Sequence, residues 1–264
     1  MIDEPHGWTA LVLAGQRPGV DPVAAHFALD AKALVPVAGM AMAGRVLMAL
    51  ADTPAIARII VLAQNTAQLE GHRDLAWAVN DSKIEFRVSG VTISGSLLDA
   101  VNDPAIGLPV LVTTADNVML TPATLAEFIS GSGTSDVSVG LVARERLEAA
   151  VGANKRTWLT FKGGAFTGAN LFALSAPAAR NVLTFWESVE HDRKSVLRLA
   201  AHFGPALMVR LLLRRMTIHQ ALAAAGARLG ATAAPVMLSD GRMGVDVDKV
   251  EDHVLAERLL AVRD

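Results

Sequence analysis

Six short runs rich in Val, Ile and Leu recur along the chain, and most of them are bounded by Gly, Pro, Asn or Asp. They fall at residues 9–14, 57–63, 84–88, 109–114, 136–142 and 168–175, and the stretches between them are long enough for helices. Strands covered on one face alternate apolar with polar side chains, whereas strands covered on both faces read as unbroken apolar runs. The pattern therefore predicts an α/β fold, a mostly parallel sheet with helices on both faces. Apolar residues spaced three and four apart predict helices over 42–52, 95–102, 122–130 and 176–188. From 191 to 229 the pattern turns wholly helical, which predicts a helical insertion near the C-terminus, and a strand over 244–247 with a helix over 250–262 restores the α/β rhythm. The Gly131-Ser132-Gly133-Thr134-Ser135 run is too short to separate domains, so residues 1–264 read as a single domain.

Composition narrows the function. With 52% hydrophobic and 19% charged residues the chain is that of a packed globular protein, and a net charge of −2 offers no basic excess with which to bind nucleic acid. Cysteine is absent, which removes thiolate metal sites and Cys nucleophiles, so any metal must sit on oxygen or imidazole. The seven His are scattered without ligand spacing, which argues against zinc. Acid and Pro in Met1-Ile2-Asp3-Glu4-Pro5 stand where a signal peptide would carry basic and then apolar residues, and the expected location is cytoplasmic. The apolar stretch 205–218 is broken by Arg210, Arg214 and Arg215, so it falls short of the ~20 apolar residues that a membrane span needs. Arg210 and Arg214 share a helix face that suits a weak contact with a membrane or an anionic headgroup, although a solvated stripe is the plainer reading. The same insertion is a candidate interface between copies of the chain.

Two groups of residues stand out for chemistry. Leu13-Ala14-Gly15-Gln16-Arg17 follows the first strand, and Lys32 lies downstream. A Gly turn after a strand lets backbone N–H groups approach phosphate, and Arg17 and Lys32 would add charge to a triphosphate. Neither a Walker loop nor G-x-G-x-x-G is present, and an ordinary βα turn with solvated charges would look alike. Asp116 follows the strand at 109–114 and so lies at a carboxyl edge, where open α/β sheets bind ligands. A late acidic cluster, Asp246, Asp248, Glu251 and Asp252, could meet it. Mg²⁺ needs only one or two carboxylates beside water and phosphate oxygens. Acids at a helix start are also favoured by the macrodipole, which gives Asp248, Glu251 and Asp252 a purely structural reading. Thr121-Pro122 predicts a capped helix directly after this edge.

The order of these motifs resembles the MobA-like nucleotidyltransferases. It comprises Leu-Ala-Gly, a basic residue, a downstream Lys followed by Val-Ala-Gly, an Asp ending the fourth strand, a Gly-x-Asn segment and a terminal Asp-x-Asp before a helix. The likeness extends from Leu11 to about Leu260, and it implies a Rossmann-like, GT-A-type fold and the chemistry of sugar-nucleotide and CDP-alcohol pyrophosphorylases. Ala14, Gly15, Gln16 and Arg17 then match the phosphate-binding loop and Lys32 the triphosphate lysine. Ser94, Gly95 and Ser96 fall where members contact base and ribose, and Asp116 and Asp246 match the metal pair for Mg²⁺ or Mn²⁺. Gly168 and Asn170 fall in the acceptor segment, with Lys155 and Arg156 as clamps for an acceptor phosphate. The chain departs from the family pattern at Gln16, which replaces a second Gly, and at Ala31, which replaces a Pro before the lysine. The implied reaction moves a nucleoside monophosphate from an NTP, with CTP favoured, onto a small phosphorylated acceptor and releases pyrophosphate. Competing readings are transfer onto a molybdopterin-type cofactor and an inactive nucleotide-binding regulator.

Overall fold

The computed structural model describes residues 7–16, 19–90, 92–153, 157–190 and 203–261. Its strands are β1 (Trp8–Leu13), β2 (Pro36–Val37), β3 (Met40–Ala41), β4 (Ile56–Ala63), β5 (Ile84–Val88), β6 (Val110–Thr114), β7 (Val137–Ala143), β8 (Leu159–Phe161), β9 (Gly164–Leu174) and β10 (Ala233–Met237). Eight of them form one sheet, in the order β10-β7-β9-β6-β1-β4-β5 with β8 paired to β9 beside that path, while β2 and β3 make a separate hairpin. β9 runs antiparallel to both β6 and β7. The other neighbours on the path are parallel.

Both faces of the sheet are buried, which explains the unbroken apolar runs. In β1, Ala10 and Val12 enter one apolar layer and Leu11 enters the other. β4 repeats the division, with Ile59 and Val61 on the first side and Ile60 and Leu62 on the second. On the first side the helix Pro122–Ser132 inserts Phe128, the largest fully buried side chain. This helix begins as the sequence predicts, with the Thr121 side chain accepting from the Thr124 N–H and Pro122 in the first turn. Truncating Phe128 to Ala would cost about 3–5 kcal/mol, the usual range for emptying a buried aromatic site.

The C-terminal third differs from the sequence reading in two places. The last sheet strand is not 244–247 but β10, which pairs in parallel with β7 at the sheet edge. Ala231, Ala233 and Ala234 favour helix by propensity, and Pro235 cannot donate a ladder hydrogen bond but is tolerated on an edge. Residues 241–244 instead form a short 3₁₀ turn. A Cβ on Gly241 would sit 2.1 Å from the Arg146 carbonyl oxygen, and one on Gly244 would sit 2.3 Å from the Leu147 side chain. The chain thus lies flush against the helix Arg144–Val151, a contact that a pleated strand with side chains could not make. Of the expected helical insertion, the helices Pro205–Leu212 and Ile218–Arg228 are seen, and 191–202 lie outside the described residues. No helix among the described residues is long and apolar enough to cross a membrane.

Candidate functional site

β1 and β6 are parallel neighbours, with Leu13 opposite Thr114, so the segments that follow them leave the sheet side by side. The Ala115 N–H donates to the Leu13 carbonyl at 3.0 Å and extends the ladder by one step. Asp116 is therefore set beside the Ala14-Gly15-Gln16 loop. The next residue, Asn117, is 1% exposed and anchors this corner, since its amide donates to the Ala169 carbonyl at 2.9 Å and to the Thr113 hydroxyl at 3.2 Å.

Lys32 opens a 3₁₀ turn, Lys32–Leu34, and reaches across to two acids. Its Nζ lies 2.5 Å from Asp116 Oδ2 and 2.7 Å from Asp248 Oδ1. Lys32 and Asp116 are nearly buried, at 16% and 17% side-chain exposure, whereas Asp248 is 64% exposed. Burial is the strongest single influence on the Lys32 ammonium and pulls its pKa down, yet the Asp116 and Asp248 carboxylates together outweigh it and hold the group above its ordinary value. Asp246 lies two residues before Asp248 and accepts from the Asn170 amide at 3.2 Å. Asn170 takes a left-handed backbone conformation, φ 49°, in β9. Asp252 serves the helix Val250–Ala261 instead, accepting from the N–H groups of Asp248 and Lys249 at 3.3 and 3.1 Å.

Among the described residues, Asp116 and Asp248 face Lys32 here, and Asp246 stands two residues before Asp248. The donor set suits a hard cation. Oδ1 of Asp116 is buried and has no hydrogen-bond partner. Among the described residues no group of three or more His, Cys, Asp or Glu is arranged as a metal cage. A cation held here would draw on the Asp carboxylates and complete its shell with phosphate oxygens and water, as Mg²⁺ does.

Beside the charged corner runs a cleft of ≈ 470 Å³ at the carboxyl ends of β1, β4 and β5. Its lining among the described residues is neutral and includes Gln16, Gln64, Asn65, Gln68, Ser89 and Gly90. The Gln64 carboxamide clasps the loop, accepting from the Gln16 N–H at 2.9 Å and donating to the Gln16 carbonyl at 3.1 Å. The Gln16 side chain in turn donates to the Asp30 carbonyl. The Ser89 hydroxyl is buried and has no partner.

The expected residues are thus distributed unevenly. Ala14 and Gln16 line the cleft, and Gly15 lies between them. Lys32 is paired with Asp116 and Asp248, and Asn170 is hydrogen-bonded to Asp246, two residues before Asp248 in the chain. Gly168 is exposed in β9, with open space where a Cβ would be. Ser94 and Ser96 are buried in the helix Ile93–Asn102, and the Ser96 hydroxyl holds the loop from behind, accepting from the Gly90 N–H at 2.9 Å and donating to the Thr92 carbonyl at 2.7 Å. The Gly95 N–H is taken by the Thr92 hydroxyl that caps the helix, at 3.1 Å. Ser94–Ser96 therefore back the cleft, and Ser89, Gly90 and Gln64 present its surface. Arg17, Lys155 and Arg156 lie outside the described residues. Gln64 and Ser89 escaped the sequence reading because amides and hydroxyls near strand ends are common, whereas Asp248 was visible in the late acidic cluster, where an acid before a helix also has a structural reading.

The comparisons with known proteins agree with this architecture. The family model described as the MobA-like NTP transferase domain matches residues 10–243. No curated protein matches the sequence. Among solved structures, the chain is similar to a hypothetical transferase from Thermus thermophilus, at 27% identity and a TM-score of 0.75, with 94% of this chain and 100% of that one covered. Two further likenesses, at lower identity, concern the fold. One is 4-diphosphocytidyl-2C-methyl-D-erythritol synthase from Anaerococcus prevotii, with 11% identity, a TM-score of 0.56 and coverage of 97% and 96%. The other is CMP:2-keto-3-deoxy-manno-octonic acid synthetase complexed with CTP, with 14% identity, a TM-score of 0.57 and coverage of 97% and 100%. The chain belongs to the MobA-like NTP transferase family and is a nucleotidyltransferase.

Proposed function

We propose that the chain transfers a nucleoside monophosphate from an NTP, with CTP as the favoured donor, to a small phosphorylated acceptor, that the reaction depends on Mg²⁺ or Mn²⁺, and that pyrophosphate is released. The observation that carries this reading is the convergence of Asp116, Lys32 and the Asp246–Asp248 segment beside the loop after β1, with one Asp116 oxygen buried and unpartnered. Asp116 and Asp246 would hold the metal. When bound, the cation would neutralise phosphate oxygens and so make the α-phosphorus a better electrophile.

The rest of the work falls to the chain's own residues. Lys32, kept charged by its carboxylate partners, sits next to Ala31 of the cleft lining and would exchange its Asp248 contact for a triphosphate oxygen. An acceptor phosphate oxygen attacks the α-phosphorus in line, the bond from that phosphorus to the bridging oxygen breaks, and the electron pair leaves with pyrophosphate. No covalent enzyme intermediate is required. Positioning and charge neutralisation supply the catalysis. Asn170 and Gly168 lie on the strand that delivers the Asp246 contact, which suits an acceptor side, with Lys155 and Arg156 as its phosphate clamps.

Support for CTP comes from the cleft and from the fold's relatives. Gln64, Gln68 and Asn65 can each donate and accept, as the edge of cytosine requires, and among the described residues no charged side chain lines the cleft. Two structural relatives are named for diphosphocytidyl and CMP products. The test is pyrophosphate release from CTP, GTP, UTP and ATP with Mg²⁺, measured against a panel of phosphorylated polyols, sugars and a molybdopterin-type acceptor. CTP with a phosphorylated polyol or sugar is expected to give the fastest release. Nucleotide binding without release on every acceptor would instead indicate a regulator.

A further inference from the structure

Charge is unevenly distributed along this chain. Residues 193–239 contain seven Lys or Arg and no Asp or Glu, while the whole chain carries −2, so the remainder carries −9. Within that basic stretch the helix Pro205–Leu212 has two apolar sides. Leu207, Met208 and Leu211 are partly covered. Val209, Leu212 and Leu213 face outward at 51%, 73% and 55% exposure, one turn of neighbouring positions. Arg210, Arg214 and Arg215 are exposed beside them, and among the described residues none of the three makes an ion pair. Basic residues in a last helical turn are favoured by the macrodipole, which accounts for arginines but not for the bare leucines next to them. None of these side chains lines the cleft.

We propose that the segment from Pro205 to Arg215 docks the protein onto an anionic lipid bilayer, its three aliphatic side chains entering the headgroup boundary and its arginines pairing with lipid phosphates. The charge distribution selects this occupant. A surface of negative lipids attracts Arg210, Arg214 and Arg215, and no acidic residue between 203 and 239 opposes them. Exposed aliphatic side chains flanked by arginine match the interfacial boundary, whereas a nucleic-acid groove would leave them in water. The inference does not depend on the nucleotide or acceptor proposed above.

The test is flotation of the full-length protein with vesicles of phosphatidylcholine alone and of phosphatidylcholine with phosphatidylglycerol. Wild type should float with the anionic vesicles and not with the neutral ones, and should lose binding as salt rises. Leu212→Glu/Leu213→Glu should abolish flotation while pyrophosphate release in solution is unchanged. If that variant fails to fold, Arg210→Gln and Arg214→Gln serve instead, each lowering partitioning roughly fivefold. Absence of wild-type flotation on anionic vesicles overturns the proposal, as does undiminished flotation of the variants. A wild-type dimer in light scattering that the leucine variant dissociates, without any vesicle binding, would assign the face to a second copy of the chain and overturn it as well.

Discussion

The two halves of the site follow opposite rules. The corner at the end of β6 is dense in charge, with Lys32 shared between Asp116 and Asp248 and with Asp246 tied to Asn170. Among the described residues, the cleft at the ends of β4 and β5 is lined by amides, a hydroxyl and small apolar groups. Charge that must be balanced by a cation is suited to stabilising a reacting phosphate, because its effect grows as charge develops in the transition state. Neutral donors and acceptors recognise a base without holding it too tightly. If the proposed function holds, chemistry and selection are separated in space, so substitutions at one end should alter kcat and those at the other should alter KM and nucleotide preference.

The largest effects should come from the two carboxylates proposed to hold the metal. Asp116→Ala and Asp246→Asn should each lower kcat about 10³-fold with the fold intact, measured by pyrophosphate release alongside circular dichroism. Lys32→Met should lower it about 10²-fold, because one positive charge is lost while the carboxylates remain. Gln64→Ala should act at the other end, raising KM for CTP about fivefold, roughly the worth of one net hydrogen bond, and leaving kcat nearly unchanged. A loss confined to kcat there would break the separation. Asp248→Asn should change turnover less than about fivefold, since its pair with Lys32 is solvent-exposed. A collapse equal to that of Asp116→Ala would move the second metal ligand from 246 to 248.

The smallest effect lies outside both halves. Asp136 accepts from the N–H and hydroxyl of Thr232 at 2.6 and 2.7 Å, and these bonds, the backbone one foremost, hold its pKa below the usual carboxylate value of 3.8. A depressed carboxylate contributes stability that is present above its unfolded pKa and lost as pH falls through its folded value. Asp136→Asn should therefore flatten the thermal-stability profile only below about pH 4 and leave turnover untouched at neutral pH.

The same contrast explains what the sequence revealed. The charged half was legible because Asp116 ends an unmistakable apolar strand and Lys32 and Asp246 carry charges that a packed domain seldom places idly. The neutral half was not. Gln64 and Ser89 act through the ends of strands that lie apart in sequence, and Ser94–Ser96, nearest to them by motif, turn inward to cap and brace. The parallel core was legible for a related reason, since burial on both faces writes itself as continuous apolar runs. β10 is hidden by its alanines and Pro235, and residues 244–247 read as a strand because the close approach of Gly241 and Gly244 to the helix Arg144–Val151 depends on tertiary contact.

The most direct measurement is the rate of pyrophosphate release by purified, folded Asp116→Ala, with CTP, Mg²⁺ and the acceptor that best supports the wild type. If the carboxylate–lysine corner performs the transfer, release falls about 10³-fold while the melting temperature is preserved. Release at the wild-type rate would place the chemistry elsewhere in the molecule.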